Sequence, residues 1–388
     1  MARRTLLLTL TVLAALVGGY AAHSAGGGSA VNLEIRLGNW QNPYEACLRE
    51  TPETKVSQCL QDLSARASGT GDIGGALAVL RDGLTRSSVL VGKCHAAVHT
   101  VGQNAVKNGV DLYEAYKVPF SDCRFGFYHG ALEAHTSGLD LAGLENEFDD
   151  LCAPFGGDDS PAAGECVHVL GHFVYDRTKP DIDNGLRICA RIPTERLAAR
   201  CSDGVLMQSV DLIKPAIGNP AHERYDLLEK SWGTTRDAQL RRAADLCGKL
   251  TSNQSIYVCY TNIPQAFTVL WKGDYPALHQ YCSAVPEQWR QPCFEGIAAG
   301  GFSWLDWDEQ RIADACHASE DPATRFCMGT LAFTFGLQST RERAMTICTL
   351  ARDYEKETCL AQVEAGIAAG AGIADGVPTG DDYGIYSK

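Results

Sequence analysis

The chain has 388 residues, 45% of them apolar, with 39 glycines, 15 prolines and 16 cysteines. That composition supports a substantial core and excludes disordered and collagen-like chains. Lysine and arginine number 34 against 47 aspartates and glutamates, a formal charge of −13. The basic residues form no cluster, so no nucleic acid is expected as a partner.

At the N-terminus, Arg3 and Arg4 precede an apolar run from Thr5 to about Ala22 that ends in small residues. Charge, apolar core and small residues in that order are the signature of an export signal, with cleavage expected after Ser24. The alternative is an uncleaved anchor, because about 18 apolar residues nearly suffice to span a bilayer. The chain then divides into a signal or anchor (1–24), a linker (25–42) that is Gly-rich near Gly26 to Ser29, an N-terminal helical region (43–180), helical repeats (181–370) and a tail (371–388) mixing Gly, Pro and Asp. Everything after the signal is expected outside the cytoplasm, and a membrane is a partner only through an uncleaved N-terminus.

The cysteines stand at 47, 59, 94, 123, 152, 166, 189, 201, 247, 259, 282, 293, 316, 327, 348 and 359. An even number in an exported chain reads as a disulfide framework, and the absence of C-x-x-C removes the sequence basis for thioredoxin-like redox chemistry, zinc ribbons and c-type haem. From Cys152 onward short gaps of 11 to 14 alternate with longer ones. Residues that far apart on one straight helix lie about 17 to 21 Å apart, beyond the reach of a disulfide, so a turn falls between them. Each short pair would staple the end of one helix to the start of the next. The expected pairs are 47–59, 152–166, 189–201, 247–259, 282–293, 316–327 and 348–359, with Cys94–Cys123 assigned by elimination.

The second cysteines, at 166, 201, 259, 293, 327 and 359, follow one another at steps of 35, 58, 34, 34 and 32 residues, a helix-pair repeat period. Over about residues 140 to 370 this resembles the tetratricopeptide or Sel1-like class of helical repeats in period and helix pairing. The tetratricopeptide consensus itself is not found. The fold class expected is all-α, a disulfide-stapled α-solenoid, and the 58-residue step carries an insertion around Lys214 to Trp232 with room for an extra helix. Gly126, Gly204 and Gly296, each three residues after a cysteine, are read as packing residues.

Six of the ten histidines fall between His95 and His172. KCHAAVHTVG supplies His95 and His99, FGFYHGALEAH supplies His129, Glu133 and His135, and CVHVLGHFVY supplies His168 and His172. Residues i and i+4 share a helix face, so each segment can aim two ligands at one place. His129 and His172 both stand six residues after a repeat cysteine, while later repeats carry Met207, Gln265, Ala299, Phe333 and Ala365 there. Oxidised cysteines cannot ligate, so a metal site here uses nitrogen and oxygen donors. The candidate ligands are His95, His99, His129, Glu133, His168 and His172, holding one or two transition ions (Zn, Cu or Fe), with Glu133 also a candidate base.

Tyr128 and Asp176 are candidate outer partners, His135 lies off the pattern, and His222, His279 and His317 are read as structural. Gly69-Thr-Gly71-Asp-Ile-Gly74 reads as a loop rather than a dinucleotide site, and Asp181, Asp183 and Asn184 as a solvated turn rather than a calcium loop. Asn253-Gln-Ser255 is an N-glycosylation sequon in a eukaryotic secretory setting only. Two functions fit: a metal-dependent hydrolase or oxidoreductase acting on a small molecule or peptide, or a non-catalytic solenoid that binds a protein or peptide.

Overall fold

The computed structural model describes residues 34–118, 123, 126–157, 160–211, 222–305, 307–338 and 341–374. The segment expected to act as an export signal or anchor, the Gly-rich stretch near Gly26 to Ser29 and the end of the tail lie outside them. Helices follow one another through the whole described chain, with no strand among the described residues. In order they are α1 (Gln41–Cys47), α2 (Glu53–Gly69), α3 (Ile73–Leu84), α4 (Ser88–Lys107), α5 (Leu112–Tyr116), α6 (Gly126–Thr136), α7 (Leu141–Cys152), α8 (Pro161–Thr178), α9 (Ile182–Cys189) and α10 (Glu195–Asp211). They continue with α11 (His222–Trp232), α12 (Arg236–Gly248), α13 (Asn253–Leu270), α14 (Tyr275–Ala284), α15 (Arg290–Trp304), α16 (Glu309–Cys316), α17 (Thr324–Gln338), α18 (Arg341–Leu350) and α19 (Lys356–Ala374).

Local sequence sets the helix starts. Asp72, Ser87, Asp140, Ser160, Asp181, Ser252, Asp274 and Asp308 each accept a hydrogen bond from a backbone N–H in the first turn of the helix they precede, satisfying donors that have no partner inside the helix. Asp181 is thus a helix cap, while Asp183 pairs with Arg242 and Lys249; neither belongs to a calcium loop. The Gly69–Gly74 segment is the α2–α3 turn, with Gly71 at φ +89°, in a region where a side chain is strained.

Helices α2, α4, α6, α8, α10, α13, α15, α17 and α19 pack in succession as an inner layer, and α5, α7, α9, α12, α14, α16 and α18 return the chain outside it. The core between the layers is filled by Leu60, Leu77, Phe127, Tyr175, Trp232, Phe267 and Phe294, all fully buried. This is an all-α, solenoid-like stack of helix pairs. The insertion in the long repeat contains α11, anchored by Trp232 Nε1 donating to Ser209 Oγ at 3.3 Å.

All sixteen cysteines are paired as the spacing predicts, with Cα–Cα distances of 5.4 to 5.7 Å. Seven pairs join the end of one helix to the early turns of the next long helix. Cys94–Cys123 is different: it ties the second turn of α4 forward to the segment that enters α6, across a separation of 29 residues.

Glycines bring inner helices into backbone contact at every second junction. A Cβ on Gly130 of α6 would stand 1.9 Å from the His99 carbonyl oxygen of α4, and one on Gly204 of α10 would stand 1.9 Å from the His168 carbonyl oxygen of α8. Only glycine tolerates such an approach. The same device joins α13 to α15 through Gly296 and α17 to α19 through Gly366. The inner layer is therefore a row of tight helix couples, a doubled period that the cysteine spacing does not show.

Candidate metal centre

Ser87 caps α4 and sets a register in which His95, His99 and Gln103 share one face at successive i+4 steps. Gly102, Gly126 and Gly130 then let α6 lie so close that His129 enters the same space. Ligating atoms of His95, His99 and His129 all lie within 4.8 Å of one another. Their ring centroids are separated by 5.9 Å (His95–His99), 5.0 Å (His95–His129) and 6.2 Å (His99–His129). The row continues onto α8: His129 to His168 is 6.3 Å, and His168 to His172 is 4.7 Å. All five helix-paired histidines thus fall in one line across three inner helices.

Oxygen acceptors stand behind these rings. His95 Nδ1 donates to the Cys123 carbonyl at 2.9 Å, so the unusual disulfide also places a histidine. His99 Nδ1 lies 3.1 Å from Glu133 Oε2, which accepts from Gln103 Nε2 at 2.6 Å. His129 Nε2 lies 3.6 Å from Glu165 Oε2, and His168 Nδ1 lies 3.0 Å from Asp203 Oδ2. Arg200 pairs with both of these buried carboxylates, with Glu165 and, at 2.9 Å, with Asp203. Asn262 Nδ2 donates to the other Asp203 oxygen at 2.8 Å. A carboxylate or carbonyl behind an imidazole is the arrangement by which metal-ligating histidines are oriented and made more basic.

Electrostatics keep the acids ionised and the His129 and His172 rings neutral. The hydrogen bond from His99 holds the Glu133 carboxyl below the usual range. Burial alone would raise Glu165 and Asp203, but Arg200 and His129 around the first, and His168 and Arg200 around the second, hold both below it. Burial pushes His129 down to about 4 against the pull of Glu165, and removal from water together with His168 lowers His172 well below its ordinary value. A neutral imidazole with a free lone pair is the form that binds a metal.

The fit to a cation rests on atoms left over. Both ring nitrogens of His129 are buried without a hydrogen bond, a costly condition for polar atoms inside a protein. Glu165 and Asp203 also share one guanidinium, which leaves a negative charge over in the interior. A cation among the rings would satisfy both.

The remaining expected residues fall elsewhere. Tyr128 donates to the Val118 carbonyl at 2.5 Å and packs against Tyr116, and Asp176 pairs with Lys179 at 3.3 Å. His135 is exposed on α6. His279 is structural, its two nitrogens bonded to Ser319 Oγ and the Ala315 carbonyl, and His317 is bonded to Glu355 at 2.8 Å. His222 opens α11.

The sequence reading missed Gln103, Glu165, Arg200 and Asp203. Two signals were present: Gln103 lies one turn beyond His99, and Glu165 stands three residues before His168, the spacing of helix neighbours. Asp203 and Arg200 carry no local signal, because they meet His168 and Glu165 only through the α8–α10 crossing.

No protein-family model, curated protein or solved structure matches the chain.

Proposed function

We propose that this is an exported metal-binding helical-repeat protein that works as a metalloenzyme, with His95, His99 and His129 as the ligands of a transition ion such as Zn, Cu or Fe. The observation that carries the reading is the convergence of those three rings within 4.8 Å, with a buried nitrogen of His129 that has no other partner. Eight disulfides favour an oxidising, extracytoplasmic environment, where imidazole donors remain available for an ion.

A bound ion would supply Lewis-acid or one-electron chemistry there. The chain's own residues do the rest. Cys123 and Glu133 hold His95 and His99 through Nδ1, so Nε2 would be the ligating atom of each. His129 closes the set from α6. Glu133 is 38% exposed at its side chain and His99 27%, so this side of the site opens to solvent and is where a small molecule or peptide would approach. Ionised and hydrogen-bonded to His99, Glu133 is placed to orient that ring and to accept a proton from a substrate group or water.

Metal analysis of untagged protein, exposed to Zn, Cu and Fe and then dialysed, tests this reading. Bound metal that disappears in His129→Ala, with helicity retained by circular dichroism, is the expected result. Protein that stays metal-free overturns it and leaves a protein-binding solenoid. Glu133→Gln separates that residue's roles: metal kept with activity lost marks a base, and metal lost marks a residue needed for ligation.

A further inference from the structure

We infer that the row of histidines holds a second ion, bound between His168 and His172 on α8, so that the centre is dinuclear; this rests on the proposed triad and adds to it. His168 Nε2 and His172 Nε2 face each other at 3.1 Å. Two imidazoles on one ion at ordinary bond lengths of about 2.0 to 2.1 Å place their nitrogens roughly 3 to 3.4 Å apart. The pair has that spacing already, set by one helical turn and by the packing of α8 against α10.

Three further observations favour an ion there. His168 has its other nitrogen turned to Asp203, which Arg200 and Asn262 hold in place, leaving Nε2 directed at His172. The neighbouring ring of His129 is 6.3 Å from that of His168, centroid to centroid, so the second position adjoins the triad. The buried acids Glu165 and Asp203 together exceed the charge of Arg200 by one, so the surroundings of the pair are net negative and favour a cation.

Glu165 does not complete the second position as a ligand, because one of its oxygens is held by Arg200 and the other faces His129. Two protein ligands leave several coordination positions for water or substrate. His172 is only half-buried, so those positions reach the surface. The second ion is therefore the weaker bound of the two.

Without an ion, the same atoms make a simple hydrogen-bonded chain from Asp203 through His168 to His172, and the experiment distinguishes the two. Untagged full-length protein stripped by chelator is titrated with Zn2+ and, in parallel, with Co2+, and the ions bound after equilibrium dialysis are counted by mass spectrometry. Two ions per chain are expected in the unaltered protein, one in His172→Gln, one in His99→Gln and none in the double variant. A single ion that His172→Gln retains and His99→Gln loses overturns the second position and leaves the triad standing. A single ion lost in both variants means one shared five-histidine centre and likewise overturns it. No ion at all removes the triad with it. Stoichiometry of the unaltered protein is decisive even if a variant fails to fold.

Discussion

Helices α4 to α10 and helices α13 to α19 are built on one plan and filled differently. Both have cysteine staples, and both have inner helices pressed together by glycine. In the second region, His279 has both nitrogens bonded, to a serine and a carbonyl, and His317 is bonded to the buried Glu355. In the first, His129 is buried with neither nitrogen bonded and stands in a line of four other imidazoles. Histidine in a helical repeat is thus structural when its hydrogen bonds close and a ligand candidate when they do not. The scaffold is common to both regions, and among the described residues buried imidazole nitrogens without a hydrogen bond occur in the first.

The sharpest way to break this comparison is to alter one cation in each region. Arg200→Met strands the buried carboxylates of Glu165 and Asp203 and should cost about 3 to 5 kcal/mol in urea unfolding. Arg341→Met loses only an exposed pair with Glu364 and should cost less than about 1 kcal/mol. Equal costs would mean that the N-terminal network is not the buried charge cluster described.

Staples come next. Replacing Cys316 and Cys327 with serine opens an 11-residue separation and should cost about 3 kcal/mol in the same assay, with metal content unchanged. Replacing Cys94 and Cys123 should lower stability and metal content together, since the Cys123 carbonyl orients His95. Non-reducing peptide mapping should recover the sequence-adjacent pairs from Cys152 to Cys359.

Acid stability sharpens the contrast from the other side. Burial lowers His279 to about 4 from an ordinary 6.5, so below pH 6.5 the unfolded chain binds a proton that the folded one refuses. Its contribution is present above about pH 6.5 and is lost as pH falls toward about 4, in total on the order of 2 to 3 kcal/mol. The stability difference between the unaltered protein and His279→Gln should shrink across that window, and a constant difference would mean that His279 is not held neutral.

The smallest effect tests the shared glycine device. Ala at Gly130 or at Gly366 brings a Cβ to 1.9 Å or 2.2 Å from a carbonyl oxygen of the facing helix, and either should cost about 1 to 3 kcal/mol as the helices separate. Only Gly130→Ala should also weaken metal binding.

Helix pairing, all eight disulfides and the histidine set were legible in the sequence because each is a local spacing: 11 to 14 residues between most stapled cysteines, and four between histidines on one face. Even the eighth disulfide followed by elimination, although its different geometry did not. What only the tertiary structure decided lies between helices. Gly126 reads from its spacing as a packing residue, but which helix it meets, and the part played by Gly102 and Gly130, emerge only when α4 is seen against α6. Glu165, Arg200 and Asp203 are ordinary surface-type residues until α8 and α10 bury them together. Sequence spacing reports which side chains share a helix face, but which faces meet depends on how closely two backbones approach. Here that distance is set by glycine contacts between residues 25 to 36 positions apart.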